Sequence, residues 1–534
     1  MVAVAELPND IEELKAIITE RERLLAERES IIRQIAAKLS WTEEKLRALE
    51  FRYFGRKSEK YKPDDDKQNR LFDEAEAHAE EPAPAVVETV KVASHERKKR
   101  GRKPKADKLP VREEIHELPA ADRDCPCCGE ARPEIGEERS AEYDLVPAHV
   151  VKIVHVRKKY GPCSCEAFRA SGKPEVIAAP GPAKIVPGSD FTNRTTAFFL
   201  TAKYQDAIPF YRMERMLIRS GLTVSRAGLC KLAVSVVRAL GDLTEMMNRD
   251  IARSPVMLMD ETTVQVLKDG TDPPGKKSYM WAAVGFLNGK PIHRFAYHRS
   301  RQGSFADVLL KGFSGYIQTD GYVGYDHLSG REGLVHVGCF AHIRRKFVEA
   351  WETAGKTGIA KEAIDLIAKI YAVESNLRGK LESEKITADE FKALRAVALA
   401  PLFEKLRAWL MTKAYAVVPQ SKLGVAISYA QNVFDRAIRF VDHPLLTPDT
   451  NRVENAIRPF VVGRKNWLFS GNPRGAHTSA GLYSLIETAK ANGHEPYAYL
   501  CHLFDALPTC KTDADRESLL PYRLDPSSYK VNAV

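Results

Sequence analysis

The chain has 534 residues, 44% of them hydrophobic and 28% charged, with a formal net charge of +10 and a pI of about 9.0. These values exclude a disordered or fibrous chain, favour an anionic partner and leave length for roughly three or four domains. No apolar run reaches the ~18 residues of a membrane span, and the first residues lack a basic segment followed by an apolar one, so no secretory signal is expected.

From Asp10 to Tyr53 the chain has neither Pro nor Gly, and Ile11, Ile18, Leu25, Ile32, Leu39, Leu46 and Tyr53 recur every seven residues. A sustained period of seven predicts a coiled coil or a long amphipathic helix, here over residues 1–60. At 1.5 Å per residue the periodic stretch would run about 65 Å. Such a helix either self-associates or packs on its own core.

Residues 61–110 lose the apolar period and read as a linker. The linker ends in a basic block containing Arg97, Lys98, Lys99, Arg100, Arg102, Lys103, Lys105 and Lys108. A flexible basic arm gains affinity for phosphate by releasing counterions, and Arg100, Arg102 and Lys103 are the candidate DNA contacts, with a narrow minor groove as one place for them. A plain solvated charge run is the other reading.

Five of the nine cysteines fall between Cys125 and Cys165, within a segment spanning 111–180. Clustering of this kind in a chain without a secretory signal points to metal rather than to disulfides. The two cysteine knuckles flank a stretch, 151–160, that alternates apolar and basic residues. Four thiolates complete a tetrahedral shell, so Cys125, Cys128, Cys163 and Cys165 are the expected ligands of a structural Zn²⁺, with Cys127 able to substitute.

Within the segment 181–245, residues 191–240 read as helical. One helix opens at Pro209, Gly221 breaks it, and Thr223 or Ser225 caps the next. The pattern fits a helix-turn-helix as well as any plain helical hairpin. In the DNA-binding reading Arg226 and Lys231 are the contacts.

The segment 246–475 carries the candidate chemistry. Residues 255–267 form a buried strand bearing Asp260. Two further strands are joined by Asn288-Gly289, the strongest short hairpin signal. A short helix, a strand ending in Thr319-Asp320-Gly321-Tyr322 and a last strand at 334–337 follow. This order is that of an RNase H-like fold, in which the first and fourth strands lie side by side, so Asp260 and Asp320 share one place. The chain is then helical to about residue 445, a long insertion from about 348. Beyond it Asp449 or Thr450 caps a helix carrying Glu454, which supplies a third carboxylate. Hard oxygen ligands suit Mg²⁺ or Mn²⁺, and two such ions serve phosphoryl transfer. Asp449 and Glu261 are the alternative third acids. Cys339 and His342, three apart at a helix start, either bind metal or pack near the site. Arg344, Arg345, Lys346, Arg458, Arg464 and Lys465 are placed to follow a DNA phosphate path, and Trp467 either stacks on a base or fills the core. Residues 476–534 form a C-terminal element.

The motifs Phe54-Gly55-Arg56-Lys57-Ser58-Glu59-Lys60, Cys125-Pro126-Cys127-Cys128-Gly129, Met259-Asp260-Glu261-Thr262, Thr319-Asp320-Gly321-Tyr322, Cys339-Phe340-Ala341-His342, Arg452-Val453-Glu454-Asn455 and Leu485-Ile486-Glu487-Thr488 occur in this order along the chain. In this the sequence resembles the transposases of the bacterial insertion sequence 66 family. The resemblance implies a DDE-type catalytic domain with a helical insertion and Asp260, Asp320 and Glu454 as its triad. It also implies a leucine-zipper-like helix, a zinc-binding domain and a helix-turn-helix before it. The expected partners are DNA (element ends and target), a second copy of the chain in a homo-oligomer and small accessory proteins encoded by the same element, with no membrane. The expected location is the bacterial cytoplasm, at the nucleoid when DNA is bound. A protein that binds DNA without catalysis, derived from a mobile element, is the rival reading.

Overall fold

A computed structural model describes residues 150–160, 177–270 and 277–529, together with residues 10–12, 15, 18–29, 31–32, 35, 42 and 46. The chain divides into two units, Met1–Ala79 with Lys152–Val534, and Glu80–Val151. The second is described only at its last two residues, so Arg100, Arg102, Lys103, Cys125 and Cys128 lie outside the described residues, as do Cys163 and Cys165.

Residues 18–29 are helical, and Ile11, Ile18, Leu25, Ile32 and Leu46 of the seven-residue series are all exposed. A two-residue antiparallel ladder pairs β1 (Lys159–Tyr160) with β2 (Ile177–Ala178). Four helices follow: α1 (Asn193–Tyr204), α2 (Phe210–Arg219), α3 (Arg226–Ala239) and α4 (Gly241–Ile251). The expected helical pair is α2 and α3. Gly221 (φ +80°) turns the chain between them, a conformation that costs glycine nothing. The Ser225 hydroxyl caps α3 by accepting the Gly228 N–H at 3.1 Å.

The centre is a mixed five-stranded sheet in the order β5-β4-β3-β6-β7. Its strands are β3 (Val256–Val264), β4 (Ser278–Leu287), β5 (Lys290–His298), β6 (Gly315–Gln318) and β7 (Leu334–Val337). The first three are antiparallel neighbours, and β6 runs parallel to β3 and to β7. The expected adjacency of the first and fourth strands is present. Asn288 (φ 51°) and Gly289 (φ 79°) make the two-residue turn between β4 and β5; positive φ at both positions matches the right-handed twist of the paired strands. The helix α5 (Ser304–Leu309) links β5 to β6. The strand β3 begins with four fully buried residues, Val256 to Met259, and is half-buried from Asp260 to Thr263. Burial on both faces explains its continuous apolar run.

Beyond β7 come α6 (Phe340–Thr353), α7 (Ala360–Glu382), α8 (Ala388–Ala414) and α9 (Lys422–Ala437), which make up the helical insertion. Phe340, Phe403, Phe434 and Phe440 interlock at its base, with centroids 6.0–6.4 Å apart. The fully buried Arg395 donates to the carbonyls of Val441, His443 and Leu446 and pairs with Glu374, which Arg378 also holds. Buried guanidinium groups with several acceptors each fix the returning segment rather than adding net stability.

That segment leads into α10 (Asn451–Trp467), then α11 (Pro473–Ala491), α12 (Pro496–Ala506) and α13 (Asp513–Ser518). The helix α10 packs on β3 and β4, and α11 on β5. On the outer edge of the sheet the His293 and Phe295 N–H groups donate to the hydroxyls of Thr488 (2.9 Å) and Ser484 (2.7 Å) on α11. A sheet edge covered in this way offers no template for another chain. The helix α1 packs on α11 and α12, and α3 on α11. Among the described residues no helix is long and apolar enough to cross a membrane.

Candidate active site

Asp260 lies at the fifth position of β3, where the strand emerges from the core. Asp320 sits two residues past the end of β6, which pairs with the first residues of β3. Glu454 is in the first turn of α10, the helix packed on β3. Three stretches of sequence, the last separated by the whole insertion, therefore bring carboxylates to the middle of β3. Removal from water lifts the Asp260 carboxyl well above the usual range. The charges of Glu261, Glu454 and Asp320 lift it further, and His342 opposes them.

Each of the three carboxylates is held through one oxygen. Asp260 Oδ1 accepts the Glu261 N–H at 2.8 Å, Asp320 Oδ1 accepts the Tyr322 N–H at 3.0 Å, and Glu454 Oε1 accepts the Thr450 hydroxyl at 2.9 Å. The second oxygen of each has no hydrogen bond among the described residues. Hard oxygen donors, mutually repelling and each with an oxygen to spare, fit a divalent cation of the Mg²⁺ or Mn²⁺ type. Among the described residues no three His, Cys, Asp or Glu side chains are set closely enough to form a metal group by themselves.

The alternative acids are otherwise engaged. Glu261 is buried, with its side chain paired to the Arg301 Nε and receiving the Tyr325 hydroxyl. Asp449 is 8% exposed and accepts the Asn451 N–H at 3.2 Å. It supports the start of α10, while Thr450, at the N-cap position, turns its hydroxyl to Glu454. Cys339 and His342 pack here: His342 Nδ1 is 3.2 Å from Cys339 Sγ, and the Thr450 hydroxyl is 3.4 Å from the same sulfur. Burial and the charges of Glu454 and Asp449 push the Cys339 thiol up to about 12, so it remains a thiol at neutral pH.

Beneath Asp320 the buried Thr319 hydroxyl meets His336 Nε2 at 2.8 Å, and His336 Nδ1 meets Ser329 at 2.8 Å. Burial, aided by Arg436, pushes His336 down to about 4. The folded value lies below the unfolded ~6.5, so the neutral ring contributes fully above about pH 6.5. That contribution, of order 3 kcal/mol, is lost as the pH falls towards 4. Urea unfolding at pH 7 and pH 4.5 is expected to show a larger acid loss in the wild type than in His336→Gln; equal losses would remove His336 as the cause.

The candidate DNA contacts separate into groups. Arg226 and Lys231 are exposed on α3. Arg464 donates to the hydroxyls of Thr262 (3.2 Å) and Thr263 (3.0 Å) just past Asp260. With Lys465, Lys277 and Leu468 it lines a cleft of about 390 Å³. Arg458 and Arg345 are half-buried, and Lys346 stands 3.9 Å from Glu349. Arg344 is only 4% exposed, so it belongs to the interior of α6 and not to a surface phosphate path. Trp467 packs edge-on against Phe460 at 5.5 Å, with Lys203 over its ring, the core-filling alternative. Sequence reasoning passed over Arg301, Tyr322, Tyr325 and Tyr429, which contact the acidic residues or the turn that carries one of them. Only the Thr319-Asp320-Gly321-Tyr322 motif signalled any of them.

Comparison with known proteins covers nearly every part of the chain. Residues 188–478 match the family model "Transposase IS66 family" and 484–522 match "IS66 C-terminal element". Residues 41–115 match "Transposase C of IS166 homeodomain", a span that includes the stretch read above as linker and basic arm. Residues 122–166 match "zinc-finger binding domain of transposase IS66" and contain all four expected zinc ligands. The helical pair α2–α3 falls inside the first of these matches. Among curated proteins, y4qI of Sinorhizobium fredii is 29% identical, covering 99% of each chain. From the same organism, y4jD is 30% identical over 75% of this chain and 78% of its own. Both bear the description "Uncharacterized protein".

Proposed function

The chain belongs to the IS66 family of transposases, and on that basis we propose that it binds the terminal inverted repeats of its own insertion sequence, cleaves there and joins the freed end to target DNA. The observation that carries the proposal is placement: Asp260 lies on β3, Asp320 just past β6, its parallel neighbour, and Glu454 in the first turn of α10, which packs on β3. Segments far apart in sequence bring negative charge to the same stretch of β3, and perturbed carboxyls of this kind cluster at functional sites. Strand order supports an RNase H-like catalytic domain: three antiparallel strands, then two parallel ones on the other side of the first.

In this reading Asp260, Asp320 and Glu454 are the DDE triad and hold two Mg²⁺ or Mn²⁺ ions. Such ions, when bound, activate a water or 3′-hydroxyl and stabilise the leaving oxygen of an in-line displacement. The protein's own part is positional. The Glu261 and Tyr322 N–H groups and the Thr450 hydroxyl fix one oxygen of each acid and leave the other without a hydrogen bond among the described residues. Arg464 and Lys465 lie along the exit of β3 and carry the phosphate backbone. Arg226 and Lys231 on α3 and the arm with Arg100, Arg102 and Lys103 add contacts farther out, which tighten binding at low salt. Cys125, Cys128, Cys163 and Cys165 hold a structural Zn²⁺. The exposed apolar series on the N-terminal helix pairs with a second copy of the chain. Accessory proteins of the same element assist.

The test is a plasmid carrying the gene of this chain with its flanking DNA, incubated with purified protein and Mg²⁺ or Mn²⁺. Nicks at both element ends and joined products are expected. Tight binding without cleavage in either metal would favour a DNA-binding protein devoid of catalysis, and cleavage without joining a nuclease.

A further inference from the structure

Arg301 stands just beyond β5 and is more restrained than a surface arginine has cause to be. Its Nε donates to Glu261, whose side chain is 1% exposed. Its guanidinium carbon lies 3.7 Å from the centroid of the Tyr322 ring. The Tyr322 hydroxyl in turn donates to the Arg301 carbonyl at 3.3 Å. Tyr325 holds the other oxygen of Glu261, and its ring meets Tyr322 and Trp281 edge-on at 5.8 and 6.0 Å. The backbone is fixed as well. A Cβ on Gly303, two residues on, would lie 1.9 Å from the Gly324 carbonyl, so this loop and the segment after Asp320 are in direct contact.

All of this restraint acts on Nε and on the ring face. The two outer nitrogens have no hydrogen bond among the described residues, and the side chain is 39% exposed. Asp320 is close enough for its charge to favour the cation, and Tyr322, which carries the guanidinium, is the residue whose N–H orients the Asp320 carboxylate. A planar fork with its inner edge anchored and its outer edge open offers two parallel donors to a tetrahedral oxyanion.

We propose that Arg301 is a phosphodiester-binding residue of the active site, whose outer nitrogens hold the non-bridging oxygens of the phosphate presented to Asp260 and Asp320, with Glu261 and Tyr322 as its positioning residues. This rests on the phosphoryl-transfer reading given above. Glu261 thus serves the site through Arg301 and not as a ligand. The guanidinium supplies positive charge where the reacting phosphate gains negative charge, and being held beforehand it needs no rearrangement to do so.

Cleavage rate and DNA affinity are to be measured with the plasmid described above for wild type, Arg301→Ala, Arg301→Lys and Asp320→Asn. Arg301→Ala is expected to lower the cleavage rate about 10²-fold, as removal of one preorganised donor does, with DNA affinity within about threefold. Methylguanidinium added to Arg301→Ala is expected to recover part of the rate, which a merely structural loss would not allow. Arg301→Lys keeps the charge and, lacking the planar fork, is expected to remain at least tenfold impaired. Wild-type cleavage by Arg301→Ala, or a loss matched by an equal loss of folded protein and unmoved by methylguanidinium, overturns the proposal. If Asp320→Asn also cleaves normally, the reading of the acidic site has failed and this inference falls with it; if only the arginine variants cleave normally, the acidic site stands and Arg301 is structural.

Discussion

Asp320→Asn is expected to reduce end cleavage and strand transfer at least about 10³-fold while leaving DNA affinity within about threefold of wild type. The replacement is nearly isosteric. Its amide oxygen still accepts the Tyr322 N–H, which Asp320 Oδ1 now takes at 3.0 Å, and the Thr319–His336 pair beneath is untouched. What disappears is one negative charge in the field on Asp260 and one hard oxygen donor. A divalent ion contributes several kcal/mol to phosphoryl transfer, and each 1.36 kcal/mol is tenfold in rate, so if Asp320 helps to hold such an ion its loss would account for three or more orders of magnitude. DNA affinity, which in the reading above rests on cations elsewhere, is expected to change little. The stability of the metal-free protein should move the other way. With one repelling charge removed, Asp260 titrates closer to an ordinary carboxyl, and the melting temperature at pH 7.5 stays level or rises. The same relief is available to a bound cation, so Mg²⁺ or Mn²⁺ should stabilise the wild type more than the variant. Cleavage by Asp320→Asn at the wild-type rate would remove this acid from the triad. A falling melting temperature would show that the aspartate is held for structure instead.

What could be read from the sequence divides along a physical line. The strands and the Asn288-Gly289 hairpin were legible because period, apolar runs and turn chemistry are local properties. The adjacency of β3 and β6 was legible because few topologies accommodate three hairpin-linked strands followed by a helix and a parallel strand. The choice of Asp260 and Asp320 rested on that adjacency, and that of Glu454 on the resemblance and on a carboxylate expected from a later helix. Their partners were not legible. Thr450 reads as a helix cap, and its hydroxyl bonds Glu454 instead. Glu261 reads as a spare acid, and only the fold shows it spent on Arg301 and Tyr325. Arg344 reads as one of three basic residues in a row, but a helix turns successive residues about 100° apart, and this one faces the core. The packing of α3 on α11 was also beyond reach, because it joins segments roughly 250 residues apart. No local pattern encodes such a contact.

The insertion meets the turn carrying Asp320 at Gly321, and Gly321→Ala is expected to slow cleavage about tenfold less than Asp320→Asn does. A Cβ at this position would lie 2.1 Å from the Tyr429 hydroxyl and 2.6 Å from its ring carbons, with Tyr429 carried by α9. Tyr429 is not a free end that can swing aside. Its hydroxyl meets the Gly321 backbone and its ring is part of the packing of α9 against the core. Either α9 retreats or the turn carrying Asp320 shifts, and overpacking of this kind costs about 1–3 kcal/mol. A displacement of Asp320 by ~1 Å costs about 10²-fold in rate even when the chain remains folded. Gly321→Ala should therefore cleave about 10²-fold more slowly, with a melting temperature lowered by a few degrees. Tyr429→Ala combined with Gly321→Ala separates the two effects. Removing the ring creates room for the methyl, so the double variant should recover rate relative to Gly321→Ala even though Tyr429→Ala alone loses stability through the cavity it leaves. Recovery of that kind would establish that the insertion sets the position of Asp320. Strict additivity of the two changes would mean that the glycine is needed for its own backbone and that α9 has no part in holding the turn.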